Sequence, residues 1–377
     1  MVVEPAIAAT LDDAVARLRD LGLGDAFEPR AAAAIVSAGL HRLCVPHSAG
    51  GLGATMADAA EVLMVLGAVD GATALGFAMQ VHTTGALRDG PGVPDVLRER
   101  VWHAIVHDAA LLNNAATEEG GGSPSRGAIP GTVAVLDGVE PDGTWRLTGE
   151  KTWTTWLPNL SHAFVTARIG TSEPAEVGTF LVDLAAGGVE RREGFEALGM
   201  RGSASGRLVL DGAAGELVLR RSVATPDPRG PAPFAWFAIA IASTYLGVGE
   251  GARADVARWA LDRRPGDGST AVADIPSVQL RLGRMDAELR AARIVVLDVA
   301  RRWDATRDAG DVALAKLVAT RAAAVATDEA SRIAGGPGFL RGRLERAFRD
   351  ARAGLINPPL EDVALTGFAR GVLDRFR

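Results

Sequence analysis

Four short stretches of this chain combine residue types that could do chemistry. Thr117-Glu118-Glu119-Gly120-Gly121-Gly122-Ser123 is a glycine-rich turn, able to bring backbone N–H groups close to an electron-rich carbonyl and stabilise charge there. Gly149-Glu150-Lys151-Thr152-Trp153-Thr154-Thr155 places an indole among hydroxyls. An indole buries a large apolar area while keeping its N–H free, so it suits the wall of a flat ring site, or else it fills the core of its own domain. Ala260-Leu261-Asp262-Arg263-Arg264 carries guanidinium forks, the groups best shaped for bidentate, charge-assisted hydrogen bonds to an anion. Gly335-Gly336-Pro337-Gly338-Phe339 follows a long helical stretch and precedes Leu344-Glu345-Arg346-Ala347-Phe348-Arg349-Asp350, a setting that gives an otherwise weak glycine cluster more meaning.

The elements that must hold these stretches follow from periodicity. Up to residue 112 the pattern is helical and alanine-rich: in residues 55–69, Met56, Ala59, Ala60, Leu63 and Met64 share one face. Residues 45–53 are dense in glycine and proline and read as a loop. Short runs rich in β-branched and aromatic residues then appear at 132–136, 144–147, 163–167, 178–182 and 207–210, parted by Asp-Gly and Gly-Gly turns, with Pro141-Asp142-Gly143 a turn whose proline presets φ. The helical period returns in longer form, with Leu282, Met285, Leu289, Val296, Val299 and Trp303 on one stripe and a second helix over 312–333. The reading is an α+β protein: an N-terminal all-α domain over 1–112, a central β-barrel or sandwich domain over 113–222, and a C-terminal antiparallel four-helix bundle over 223–377.

Composition bounds the function. Lys and Arg number 40 against 46 Asp and Glu, for a net charge of -6, which argues against a basic nucleic-acid surface. The single cysteine, Cys44, excludes an intramolecular disulfide, and no cysteine cluster is present to bind metal. The first residues lack the basic and apolar regions of a signal peptide. The most apolar stretch, 234–248, carries Ser243 and Thr244 and reads as a buried helix rather than a membrane span. A cytoplasmic location is the expectation.

The order of domains, together with these motifs and Leu198-Gly199-Met200-Arg201-Gly202-Ser203, resembles the acyl-CoA dehydrogenase family. The resemblance spans most of the chain and implies FAD as cofactor. It places Ala116 and Thr117 at the flavin pyrimidine edge, Trp153 over the flavin, the Thr155 hydroxyl near N5 and Ser123 towards the substrate. Arg263 falls where the family holds the FAD pyrophosphate, although Pro265-Gly266 replaces the usual Phe-Gly after it, and Pro276 stands where the family often has glutamine. Gly335 and Gly336 match the segment that receives the adenosine-diphosphate half of FAD from a neighbouring subunit, with Arg332 where glutamine is common. Such sharing implies a homodimer or homotetramer with closed symmetry. Arg201 is expected to make structural ion pairs or to approach the cofactor edge.

Acyl-CoA desaturation needs a carboxylate near the substrate α-carbon. Counted from Arg349-Asp350, the family's glutamate position is Pro358, and the alternative position on the first bundle helix falls within Pro233-Phe234-Ala235-Trp236-Phe237. Glu361 and Asp362 are the nearest substitutes, but acids opening a helix also serve its dipole. Glu250 is a further substitute, or simply a solvated charge. Three functions therefore stand: α,β-dehydrogenation of an acyl thioester such as acyl-CoA with an atypical base or none; a flavin monooxygenase on the same scaffold, using FMN, in which His82 could help with proton transfer; and a flavin-binding protein without catalysis.

Overall fold

Helical periodicity at both ends of the chain and β-branched runs between them produce helical N- and C-terminal regions around a central sheet. The computed structural model describes residues 3–120, 128–139, 143–171, 174–266 and 268–377. Before the sheet come α1 (Pro5–Asp20), α2 (Pro29–Ser37), α3 (Met56–Val69), α4 (Gly71–Asp89) and α5 (Asp95–His107). Thr55 and Asp58 form a reciprocal capping box at the start of α3, and the Asp70 carboxylate accepts from the Thr73 N–H at the start of α4, so the helix starts are written locally. The 45–53 loop contains one short 3₁₀ turn, His47–Ala49, and another, Leu40–Arg42, precedes it.

The sheet contains β1 (Leu112–Ala115), β2 (Val133–Asp137), β3 (Thr144–Thr154), β4 (His162–Ile169), β5 (Glu176–Asp183), β6 (Val189–Arg192) and β7 (Gly206–Ser222). Its order is β1-β4-β2-β3-β7-β5, with β6 beside β7, and β5 pairs with β4 as well. The pairs β4-β2-β3-β7-β5 thus return on themselves. β1 and β2 run parallel to β4, and the remaining pairs are antiparallel. Five strands coincide with the β-rich runs of the sequence, whereas β1 and β6 do not. β6 reads Val-Glu-Arg-Arg and is largely exposed, so no apolar alternation marks it.

The C-terminal region comprises α6 (Ala232–Asp262), α7 (Pro276–Thr306), α8 (Val312–Ala334), α9 (Arg343–Ile356) and α10 (Glu361–Leu373). By length and composition α6 could cross a membrane, but 83% of its most apolar window is buried in the protein. It packs on α3, α4, α8 and α9. Contact with α3 is close enough that a Cβ on Gly247 would lie 2.2 Å from the Met64 carbonyl oxygen, so glycine is required at that crossing.

Buried charges fix the helices to one another. The Asp89 carboxylate accepts from the indole N–H groups of Trp236 and Trp303, each at 2.9 Å, tying α4 to α6 and α7. Asp304 of α7 accepts from the Met56 and Ala57 N–H groups at the start of α3. Glu250 is not a solvated charge: it pairs with Arg293 at 3.1 Å, and Arg293 also engages Glu61. These networks hold α3, α6 and α7 in register.

Candidate functional site

One cavity of about 1890 Å³ lies between the sheet, α4, α6 and the segment joining α9 to α10. That exceeds the few hundred to 1,000 Å³ of an ordinary ligand pocket, leaving room for a cofactor and a second molecule. Ala116, Thr117, Trp153, Thr155 and Pro358 all line it, so four of the residues singled out for the cofactor and the position singled out for the base share one space.

The sheet side is built at the ends of β1 and β3. The Thr152 N–H donates to the Thr117 carbonyl at 2.9 Å, joining the two motifs. Glu118 pins the turn: it accepts from the Gly131 and Thr132 N–H groups and the Thr132 hydroxyl, and pairs with the fully buried Lys151. Burial alone would raise the Glu118 carboxyl, but Lys151 and Thr132 outweigh it and hold the group below the usual range. Trp153 has φ 56°, an uncommon backbone conformation for a bulky residue and one concentrated at functional sites. Its side chain is half exposed and stacks on Phe195 with ring centres 4.1 Å apart at 22°. Arg207 lies over the Phe195 ring and pairs with Glu119 and Glu150. The Thr155 hydroxyl is 3.0 Å from that of Ser205, which in turn meets Ser203 at 3.1 Å. Asn113 donates to the Thr155 carbonyl, and Oδ1 of the neighbouring Asn114 finds no hydrogen-bond partner among the described residues.

The opposite side is mostly apolar, with Leu75 and Met79 of α4 and Phe234, Phe237 and Ile241 of α6. His82 lies here, fully buried with its ring edge-on to Phe237 at 5.2 Å. Burial pushes its imidazole down to about 4, with Arg229 adding to the effect and Asn113 opposing it. It is neutral near pH 7 and is a poor source of protons there, contrary to the sequence expectation.

The 198–203 stretch and the 344–350 stretch meet in a joint that sets the α9–α10 segment. The Met200 N–H donates to the Asp350 carboxylate, Arg349 donates to the Leu198 carbonyl and pairs with Asp25, and Arg346 pairs with Asp70. Burial raises Asp350 to about 6 against the pull of the Met200 N–H. Arg201 pairs with Asp25 at 3.3 Å and also borders the cavity. Beyond the joint, the Asn357 amide Nδ2 donates to the Tyr245 hydroxyl at 2.8 Å. Tyr245, the chain's one tyrosine, is fully buried on α6, and burial with nearby Asp350 pushes its phenol up, so it stays protonated.

Glu361 and Asp362 open α10 outside the cavity lining, and Glu361 is bound bidentately by Arg321. Neither acid, the substitutes the sequence offered for the base, lines the cavity. Arg263, Arg332, Gly335 and Gly336 also stand apart from the cavity. Arg263 caps α6, Arg332 pairs with Asp328 at 2.6 Å, and Gly335 ends α8 with φ 62° beside the exposed Phe339 and Leu340. Ser123 lies outside the described residues. Sequence reasoning missed Tyr245, Asn357, Asn114 and Phe195; a lone tyrosine inside an apolar helix and an asparagine before two prolines were the available signals.

Comparison with known proteins bears on this geometry. The family descriptions "acyl-CoA dehydrogenase, middle domain" and "acyl-CoA dehydrogenase, C-terminal domain" match residues 113–213 and 232–357. A putative acyl-CoA dehydrogenase, YdbM of Bacillus subtilis (strain 168), is 33% identical over 336 residues, covering 87% of this chain and 85% of that protein. Butyryl-CoA dehydrogenase from Megasphaera elsdenii superposes with a TM-score of 0.85 at 19% identity, over 99% of both chains. TdsC from Paenibacillus sp. A11-2, a dibenzothiophene monooxygenase solved with FMN and indole, superposes with a TM-score of 0.83 at 20% identity, over 98% of this chain and 96% of that one. At these identities the two structural likenesses are of fold.

Proposed function

The chain belongs to the acyl-CoA dehydrogenase family of flavin oxidoreductases, and we propose that within it this protein is a flavin-dependent monooxygenase of a small, largely apolar molecule. The observation that carries this reading is the chemistry of the cavity's substrate end. Pro358, which the family resemblance matches to the base position, lines it. The carboxylates that line the cavity among the described residues are Glu118, Glu193, Glu196 and Asp227. Glu118 is tied to Lys151 and Asp227 to Arg229, while Glu193 and Glu196 are exposed on the loop around Phe195. α-Proton abstraction requires a carboxylate poised at the α-carbon; monooxygenation does not.

The residues present fit a flavin. Trp153 and Phe195 offer a flat apolar wall, Ala116 and Thr117 border the same space, and Asn114 Oδ1 is a buried acceptor with no donor among the described residues. When bound and reduced, a flavin supplies two electrons to dioxygen, so that one oxygen atom enters the substrate and the other leaves as water. The chain's own part is to hold and to exclude. Trp153 and Thr155 orient the ring system, with Ser205 fixing the Thr155 hydroxyl. Leu75, Met79, Phe234, Phe237 and Ile241 keep water from the reacting face. This reading takes FMN as the flavin, the cofactor with which TdsC was solved.

A second reading, dehydrogenation of an acyl thioester with FAD, is favoured by the name of the relative that is 33% identical. Under it, Arg263, Arg332, Gly335 and Gly336 receive FAD from a neighbouring chain of a homodimer or homotetramer. The test is to supply the purified chain with reduced FMN, labelled dioxygen and a panel of apolar heteroaromatics. Label in a product, dependent on the protein, supports the monooxygenase. Consumption of reduced flavin with no labelled product from any member of the panel counts against it.

A further inference from the structure

We propose that Asn357, held in place by Tyr245, is the contact through which the cavity selects a substrate bearing an uncharged N–H or O–H group. The inference deepens the monooxygenase reading by naming the polar feature of its substrate.

Three observations carry it. First, Asn357 is half-buried, lines the cavity and directly precedes Pro358, at the substrate end. Second, its amide is held: Nδ2 donates to the Tyr245 hydroxyl at 2.8 Å. Tyr245 itself has no freedom to move away, because its ring is fully buried and seated on the backbone of Gly354 in α9, where an added Cβ would lie 2.8 Å from Cγ. Third, the α6 side of the space is apolar, with Phe237 and Ile241, while Arg349 and Arg352 border it from α9. Nδ2 gives one of its two hydrogens to Tyr245, which fixes the amide and leaves Oδ1 as an acceptor beside one remaining N–H. Oδ1 is assigned to the ligand, and the group that pairs with Oδ1 is a donor. In apolar surroundings a donor left unpaired, or an acceptor left unpaired, costs more than in water, so a ligand with the same body but no N–H or O–H is disfavoured. Asn357 is the binding residue, and Tyr245 positions it.

The experiment is calorimetric titration of the full chain, with FMN and without, using indole and indene as probes, which share a bicyclic apolar body and differ in the N–H. Wild type should bind indole about tenfold more tightly than indene, the effect of one satisfied hydrogen bond. Asn357→Ala should bring that ratio close to one. Tyr245→Phe should reduce it several-fold while leaving the affinity for indene unchanged; a general loosening of the fold would weaken both probes alike. FMN affinity should be unchanged in both variants. Equal binding of the two probes by the wild type overturns the proposal, as does a ratio that survives Asn357→Ala. If the chain takes up no FMN yet prefers indole, the monooxygenase reading fails and the assignment of Asn357 stands; if it oxygenates a substrate but binds both probes equally, the reverse holds.

Discussion

Replacing Gly354 by alanine sets two effects of opposite sign against each other. In the interior of a helix the change ordinarily stabilises by up to about 1 kcal/mol, because alanine favours the helical backbone and glycine does not. In α9 the new Cβ would meet Cγ of Tyr245 at 2.8 Å and both Cδ atoms at 3.0 Å, closer than carbon atoms approach. These are the inner atoms of the ring, and Tyr245 is fully buried with its hydroxyl engaged by Asn357, so the ring cannot swing aside as the end of a long chain would. Overpacking of this kind costs about 1–3 kcal/mol, and the helix-propensity gain offsets part of it. The expected net is a loss of about 1–2 kcal/mol, or roughly 1–3 °C in thermal midpoint for a chain of this size. Differential scanning fluorimetry of wild type and Gly354→Ala at one pH measures it. A variant as stable as the wild type, or more stable, refutes the seating of Tyr245 on α9 and with it the geometry assigned to Asn357.

Other expectations follow from the same structure. Glu118→Gln leaves the Lys151 ammonium buried without its counter-charge, and removing one partner of a buried pair costs about 3–5 kcal/mol, to be read as a fall in denaturant midpoint; because Glu118 is held below the usual carboxylate range, its contribution is present above the unfolded value of about 4.3 and is lost as pH falls through the folded one. His82 is depressed from 6.5 to about 4, so the unfolded chain takes up its proton first as pH falls. Stability from this group should drop by about 3 kcal/mol between pH 6.5 and 4, and His82→Gln should flatten that part of the pH–stability curve. Trp153→Ala removes the flat wall and should weaken FMN binding roughly tenfold in a fluorescence titration.

Much of the scaffold was legible because burial imposes a period. The helix expected over 55–69 is α3, the stripe from Met285 to Trp303 is the buried face of α7, and the 312–333 helix is α8 with one residue added. Where the sequence misled, a local signal had a non-local cause. Asp211-Gly212 has the composition of a turn, yet β7 runs through it: Gly212 has φ 65° and sits where the β3–β7 register shifts, so the glycine serves a bulge. Glu250 looked like a solvated charge because its partners, Arg293 and through it Glu61, lie far along the chain. In the candidate site, Ala116, Thr117, Trp153 and Thr155 could be found from motif and spacing, and the structure gathers them in one cavity. Tyr245 and Asn357 are 112 residues apart and become a pair through the crossing of α6 and α9. No local pattern marks that relationship.

Central to the proposed function is that, among the described residues, the cavity around Pro358 has no carboxylate poised for α-proton abstraction. The most direct measurement is anaerobic titration of the flavin-loaded wild-type protein with acyl-CoA thioesters from short to long chain, following the long-wavelength absorbance band of the oxidised flavin. The band is expected to persist with every thioester. Bleaching by any of them would contradict it, showing that a group in this chain removes the α-proton after all.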